Sequence, residues 1–185
     1  HDGIGQMLSA VKMNVSSINV STEDDPQYKN ALSLIDDSCN ELRNISHNMM
    51  PGLLVKSGLL PAVKDMAEKL NSPSLNIFVE SDGFEIRPES QVEIHLFRIV
   101  QELLNNIIKY AHATEVHIQF NKTESDITVM MEDNGMGFDK NMLNEGKGNG
   151  WNNINSRLEI LNAKIEVDSK MNNGTAVFLS APLFP

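Results

Sequence analysis

The sequence predicts an α+β fold: an antiparallel two-helix hairpin, able to form a four-helix bundle on dimerisation, followed by a mixed-sheet α/β sandwich. Three observations predict it. Residues 1–49 keep a helical period of apolar side chains. Residues 75–80, 115–121, 126–132, 163–169 and 175–181 read as short strands, most of them alternating apolar and polar. Helices fall between them without the regular strand–helix–strand alternation of a doubly wound nucleotide fold.

Along the chain, Ile4, Met7, Leu8, Val11, Val15 and Ile18 make the stripe of a first helix over residues 1–20. Ser21 to Pro26 reads as a solvated turn. Tyr28, Ala31, Leu32, Leu34, Ile35, Leu42, Ile45 and Met49 carry the period to about residue 49, and Pro51-Gly52 closes it. Each helix is about 20 residues, near 30 Å long. A hairpin of two such helices cannot bury both stripes alone. The expected remedy is a second hairpin, and packing on the rest of the chain is the alternative. The boundary falls at residues 52 and 53, giving a hairpin domain (1–52) and a second domain (53–185). In the second domain, helices are expected over 59–70, over 89–112 from near Pro88, and over 150–161. Met171-Asn-Asn-Gly174 joins the last two strands.

At 185 residues, one or two domains are expected, and 41% hydrophobic content suffices for a packed core. A formal charge of −10 excludes a general nucleic-acid surface and a polybasic membrane patch. The lone Cys39 makes neither an internal disulfide nor a zinc site, which suits a reducing cytoplasm. No apolar run approaches the roughly 20 residues that span a bilayer. The chain opens inside a helical pattern, so any membrane contact is expected only through upstream segments outside this sequence.

Three motifs carry chemistry. In Glu102-Leu-Leu-Asn105-Asn106-Ile-Ile-Lys109-Tyr110-Ala111, the residues Glu102, Asn106 and Lys109 sit at i, i+4 and i+7, on one face of a helix, with Leu103, Leu104, Ile107 and Ile108 anchoring the opposite face. A carboxylate, an amide and an ammonium on one stripe suit a Mg²⁺-triphosphate: the Asn106 oxygen ligates a hard cation and Lys109 neutralises phosphate. An ordinary solvated face is the alternative. Asp133-Asn134-Gly135-Met136-Gly137 ends a strand in a turn that lets backbone pass close to a ligand, and its carboxylate can accept from an exocyclic amine. An Asx turn explains the same residues. Gly146-Lys-Gly148-Asn-Gly150 precedes Trp151 and a helix, so its amides and the helix N-terminus make an anion site, or else a flexible loop. It lacks the Lys-Ser/Thr pair of a Walker loop. Three such motifs in this order describe a nucleotide pocket.

The set resembles the ATP-binding (GHKL, or Bergerat) fold shared by gyrase, the Hsp90 chaperones, the MutL repair proteins and sensor histidine kinases. Glu102–Ala111 is similar to its N box, Asp133–Gly137 to its G1 box, Gly146–Gly150 to its G2 box, and Gly174-Thr175 to its late Gly-Thr pair. The resemblance implies that Asn106 holds Mg²⁺, that Asp133 binds adenine, and that Gly146–Gly150 forms a lid on the phosphates. Gly135, Gly137, Lys109 and Thr175 join the same set. Trp151 stands where the family more often has Leu or Met.

His1-Asp2-Gly3-Ile4-Gly5-Gln6 resembles the acceptor motif of histidine kinases related to nitrate sensors and the desaturase-regulating thermosensor. By that resemblance His1 accepts the γ-phosphoryl group, with Asp2 as general base or orienting group, and Gln6 serves the reverse chemistry on a partner's phosphoaspartate. It implies a homodimer and a response-regulator receiver domain, of the helix-turn-helix DNA-binding kind, as phosphoryl acceptor. Two other classes stay open: an ATP-driven conformational machine, with Glu102 activating water, and a catalytically silent dimerisation scaffold.

Overall fold

The computed structural model describes residues 51–139 and 149–183, which belong to Pro51–Pro185, one of two compact units into which the chain divides. The hairpin expected over residues 1–49 lies outside the described residues. Pro51-Gly52, expected to end a helix whose residues lie outside the described ones, opens another: α1 (Gly52–Ser57) starts with Pro51 at its N-cap. Proline tolerates a helix start because the missing N–H has no intrahelical partner there. Gly58 then turns at φ 93°, its N–H bonding Leu54 O, and α2 (Leu59–Leu70) comes next.

The break between α1 and α2 is held by Glu93, only 2% exposed. Its carboxylate accepts the Leu59 N–H (3.0 Å), an orphan donor of the α2 start, and the Arg87 Nε–H (2.7 Å). The same guanidinium donates to Leu54 O (2.9 Å) and Val55 O (3.2 Å). A Cβ on Gly58 would stand 2.6 Å from Glu93 Oε1, so glycine is required for space as well as for its positive φ.

The sheet contains β1 (Asn76–Asp82), β2 (Glu115–Lys122), β3 (Asp126–Asp133), β4 (Lys164–Ser169) and β5 (Thr175–Pro182), in spatial order β1-β2-β3-β5-β4. Only β1–β2 is parallel, which makes the sheet mixed as expected. The chain passes from β1 to β2 through α3 (Ser90–Asn106), and α4 (Asn149–Ile160) precedes β4. Val116, Ile118 and Phe120 on β2, Ile127, Val129 and Met131 on β3, and Val177, Leu179 and Ala181 on β5 are buried. They pack against α2 (Leu59, Val63, Ala67), α3 (Val92, Leu96, Phe97, Val100, Leu104) and α4 (Ile154, Leu158) in one core. The opposite face of the sheet carries exposed His117, Gln119, Glu132 and Phe178, so the described helices lie on one face. No helix among the described residues is long and apolar enough to cross a membrane.

The single helix expected over 89–112 is α-helical only to Asn106. Ile107–Ala111 widens into a π-turn and the segment stops at His112, left-handed at φ 51°. Ile108, expected to anchor the apolar face, is therefore 44% exposed, while Leu103 and Leu104 are buried and Ile107 is partly so.

Candidate nucleotide-binding site

Strand alternation and register build the floor of the site. Asp133 ends β3 two residues after buried Met131, so it belongs to the helix-covered face, whereas Glu132 belongs to the uncovered one. Thr175 opens β5 directly opposite Asp133, and Ser169 ends β4 directly opposite Thr175. Asp133, Thr175 and Ser169 thus form one row across three strands.

The Asp133 carboxylate accepts the Gly135 N–H (2.8 Å), which makes the Asx turn. Burial pushes its pKa up, while backbone N–H groups of Gly135 and Thr175 pull the other way. Gly135 is where the motif meets the end of the α3 segment. A Cβ there would stand 2.7 Å from Ala111 Cβ and 2.8 Å from Asp133 Oδ1, and Met136 N–H bonds Ala111 O at 2.8 Å. Gly135 O accepts the Gly174 N–H (2.9 Å), and Gly137, at φ 57°, lies against the Lys170 and Gly174 carbonyls. Asn134 staples the end of β3 to the start of β2: its Oδ1 accepts the N–H groups of Thr114 (2.9 Å) and Glu115 (3.0 Å), and its Nδ2 donates to Thr114 Oγ1 (2.9 Å).

Glu102 and Asn106 are half-buried on α3 and Lys109 is exposed. The π-turn between Asn106 and Lys109 breaks the α-period on which the shared stripe was predicted, so Lys109 is rotated away from that line. Gly150, in the first turn of α4, comes so close to Glu102 that a Cβ there would overlap its carboxylate. The structure thus brings Glu102 to the start of α4, and Asp133, Gly135, Gly137 and Thr175 together around the end of the α3 segment. His1, Asp2, Gln6, Gly146 and Gly148 lie outside the described residues.

A cavity of about 530 Å³ is lined by Asp133, Ser169 and Thr175 together with Glu115, His117 and Glu132. Glu102 and Asn106 do not line it, because it opens on the uncovered side of the strand ends. Its carboxylates repel phosphate. Among the described residues no three His, Cys, Asp or Glu side chains are grouped to hold a metal ion. The donor set of Asn106 beside Glu102 fits a Mg²⁺ that arrives with phosphates as its other ligands.

Ser169 escaped the reading of the sequence, since a serine at a strand end looks like a solvated terminus. The signal that finds it is its place two residues after Val167, at an inward position. It is buried, 7% exposed.

The model of a family described as histidine kinase-, DNA gyrase B- and HSP90-like ATPase matches residues 91–185, and a histidine kinase model matches residues 1–54. The chain is 29% identical over 191 residues to the signal transduction histidine-protein kinase/phosphatase DegS of Brevibacillus brevis, covering 99% of this chain and 49% of that protein. It is 27% identical over 187 residues to the oxygen sensor histidine kinase NreB of Staphylococcus carnosus, covering 99% and 54%. The chain therefore spans about half the length of the curated relatives it matches. Among solved structures, the histidine kinase domain of the Erythrobacter litoralis EL346 blue-light activated kinase superposes with TM-score 0.56 at 20% identity, over 68% of this chain and 61% of that one. The Acinetobacter baumannii histidine kinase AdeS gives 0.57 at 12% identity, over 97% of each chain. At these identities the structural matches show the fold alone.

Proposed function

The chain belongs to the histidine kinase-, DNA gyrase B- and HSP90-like ATPase family and is the catalytic core of a histidine kinase; we propose that residues 53–185 bind MgATP and transfer its γ-phosphoryl group to His1 in a dimeric hairpin of residues 1–52. His1 then passes the group to an aspartate on the receiver domain of a response regulator of helix-turn-helix type. Asp2 assists the first transfer, and Gln6 serves the reverse removal of phosphate from that aspartate.

The observation that carries the reading is the floor row. Asp133 is a half-buried carboxylate at a strand end, with Thr175 opposite and the Gly135 backbone pressed against Ala111. An adenine amino group meets an acceptor there, and Gly135, packed on Ala111, holds that carboxylate through its N–H. At the other end, Asn106 and the start of α4 suit the triphosphate, with Gly146, Gly148 and Gly150 supplying amides of the lid. A magnesium ion held by Asn106 would supply neutralisation of the charge that develops during transfer. The chain's own task is positioning: Asn106 orients the cation, Lys109 reaches phosphate from the exposed turn, and Asp133 fixes the base. His1 in its neutral form offers a ring-nitrogen lone pair to phosphorus, and Asp2 holds the ring or takes its proton.

The test is labelling by γ-³²P-ATP of the chain extended upstream of His1. Base-stable, acid-labile label is expected in the parent and absent from His1→Gln. Equal labelling of both would overturn the assignment of His1, and a parent that binds no MgATP at millimolar concentration would overturn the nucleotide site.

A further inference from the structure

Ser169 stands one strand beyond the two residues assigned to the base, and its hydroxyl touches three groups at once. The Phe138 N–H lies 2.9 Å from Ser169 Oγ, the Gly174 carbonyl oxygen 3.2 Å, and the Thr175 hydroxyl 3.0 Å. A serine hydroxyl owns one proton and two lone pairs. The amide at Phe138 can only donate, so it occupies a lone pair. The carbonyl at Gly174 can only accept, so it takes the Ser169 proton. The remaining Ser169 lone pair faces Thr175, whose own hydroxyl proton must therefore point back to Ser169.

Resting on the nucleotide reading above, we propose that Ser169 is a specificity-determining positioning residue: it turns the Thr175 hydroxyl so that only lone pairs face the base. Thr175 and its cross-strand partner Asp133 are then two acceptors side by side. Such a floor receives an amino group, directly or through a water, and repels a carbonyl at the same position. The pocket selects a 6-amino purine over a 6-oxo purine, and the selection is set by a side chain one strand removed from the pair that meets the base. Ser169 also ties the end of the G1 segment, through Phe138, to the Gly174 turn. The proton direction and the loop position are thus fixed by one buried atom, since Ser169 is 7% exposed.

The test compares ATP with inosine triphosphate, which carries a carbonyl in place of the 6-amino group. Affinities of both are measured by calorimetry for the parent, Ser169→Ala, Ser169→Cys and Ser169→Thr. In Ser169→Ala the Thr175 hydroxyl is free to rotate and donate to the carbonyl, so the preference for ATP over inosine triphosphate should shrink by about ten-fold, the effect of one mismatched polar contact. Ser169→Thr keeps the hydroxyl and should restore the preference. Ser169→Cys, similar in size with a weak S–H, should fall between, and it serves if the alanine variant does not fold. Affinities that fall together with an unchanged ratio would mean that Ser169 is structural only and would overturn the proposal. So would a Ser169→Thr that fails to restore the ratio. A parent that binds neither triphosphate overturns the nucleotide reading itself, whereas a parent that prefers ATP beside a Ser169→Ala with the same preference overturns only the role of Ser169.

Discussion

At Asp133 burial raises the carboxyl pKa above its ordinary value, against the pull of the Gly135 and Thr175 N–H groups. A carboxyl whose folded-state pKa exceeds its unfolded value contributes stability that is complete below the unfolded pKa and lost as pH rises through the folded one. At neutral pH the ionised Asp133 therefore costs the ligand-free fold stability. Asp133→Asn keeps an oxygen for the backbone donors and removes that cost. Its melting temperature is expected to exceed the parent's at pH 7 and to converge with it below about pH 4, where Asp is neutral as well. MgATP affinity is expected to fall more than ten-fold, because a hydrogen bond to a charged acceptor contributes about 1.5–3 kcal/mol. A thermal melt series and a titration check the pair. Gly135→Ala has the opposite profile: the added methyl would stand 2.7 Å from Ala111 Cβ, so destabilisation of about 1–3 kcal/mol accompanies the loss of binding. Asp133 was singled out by its strand-end turn and Thr175 by the resemblance to the Gly-Thr pair. Ser169 was not, since its meaning depends on which strand lies beside which, and β5 comes between β3 and β4.

Helix α3 and the π-turn at its end show how far an element can be read from its residues. The helix start was read from Pro88, and the burial of Leu103 and Leu104 from their place opposite Glu102 and Asn106. The π-turn at Ile107–Ala111 was not legible, because Ile107-Ile108-Lys109 suits an α-helix equally well. The wider turn is imposed by tertiary contacts: Ala111 O must meet Met136 N–H, and Ala111 must pack on Gly135. Helix α1 was not expected for a local reason, since Pro51-Gly52 reads as a helix stop and suits a helix start equally well. Near the C-terminal end of α3, Gly150→Ala would push against the Glu102 carboxylate. Autophosphorylation is expected to drop at least ten-fold, with the melting temperature lowered by only a few degrees, since the helix start is preserved. A loss of both in proportion would mean that the Glu102–Gly150 contact only supports the fold.

For the whole molecule, the α+β class of the described unit was readable because its strands show their buried faces, whereas the order β1-β2-β3-β5-β4 was not, being fixed by pairing between residues far apart in sequence. The amphipathic stripes of residues 1–49 imply a dimer, and the full chain is expected to sediment at twice its 20.6 kDa. Dissociation on dilution should abolish phosphorylation of His1 if transfer occurs between protomers. Monomeric sedimentation at micromolar concentration would overturn the bundle.

The joint at Glu93 has a mechanical consequence. The chain enters the described unit at Pro51, and within a few residues Leu54, Val55 and Leu59 are all tied to the Arg87–Glu93 pair, which sits at the start of α3. A pull or twist on the entering length of chain is thus loaded onto the end of a rod. That rod is 17 residues, about 25 Å, long, and its far end is Asn106. Glu93→Ala removes the coupling pin and leaves the Leu59 N–H without its partner, at a cost of about 1–3 kcal/mol. Hydrogen exchange should then quicken at Leu54–Leu59 while α3 stays protected, as in a lever cut free from its handle.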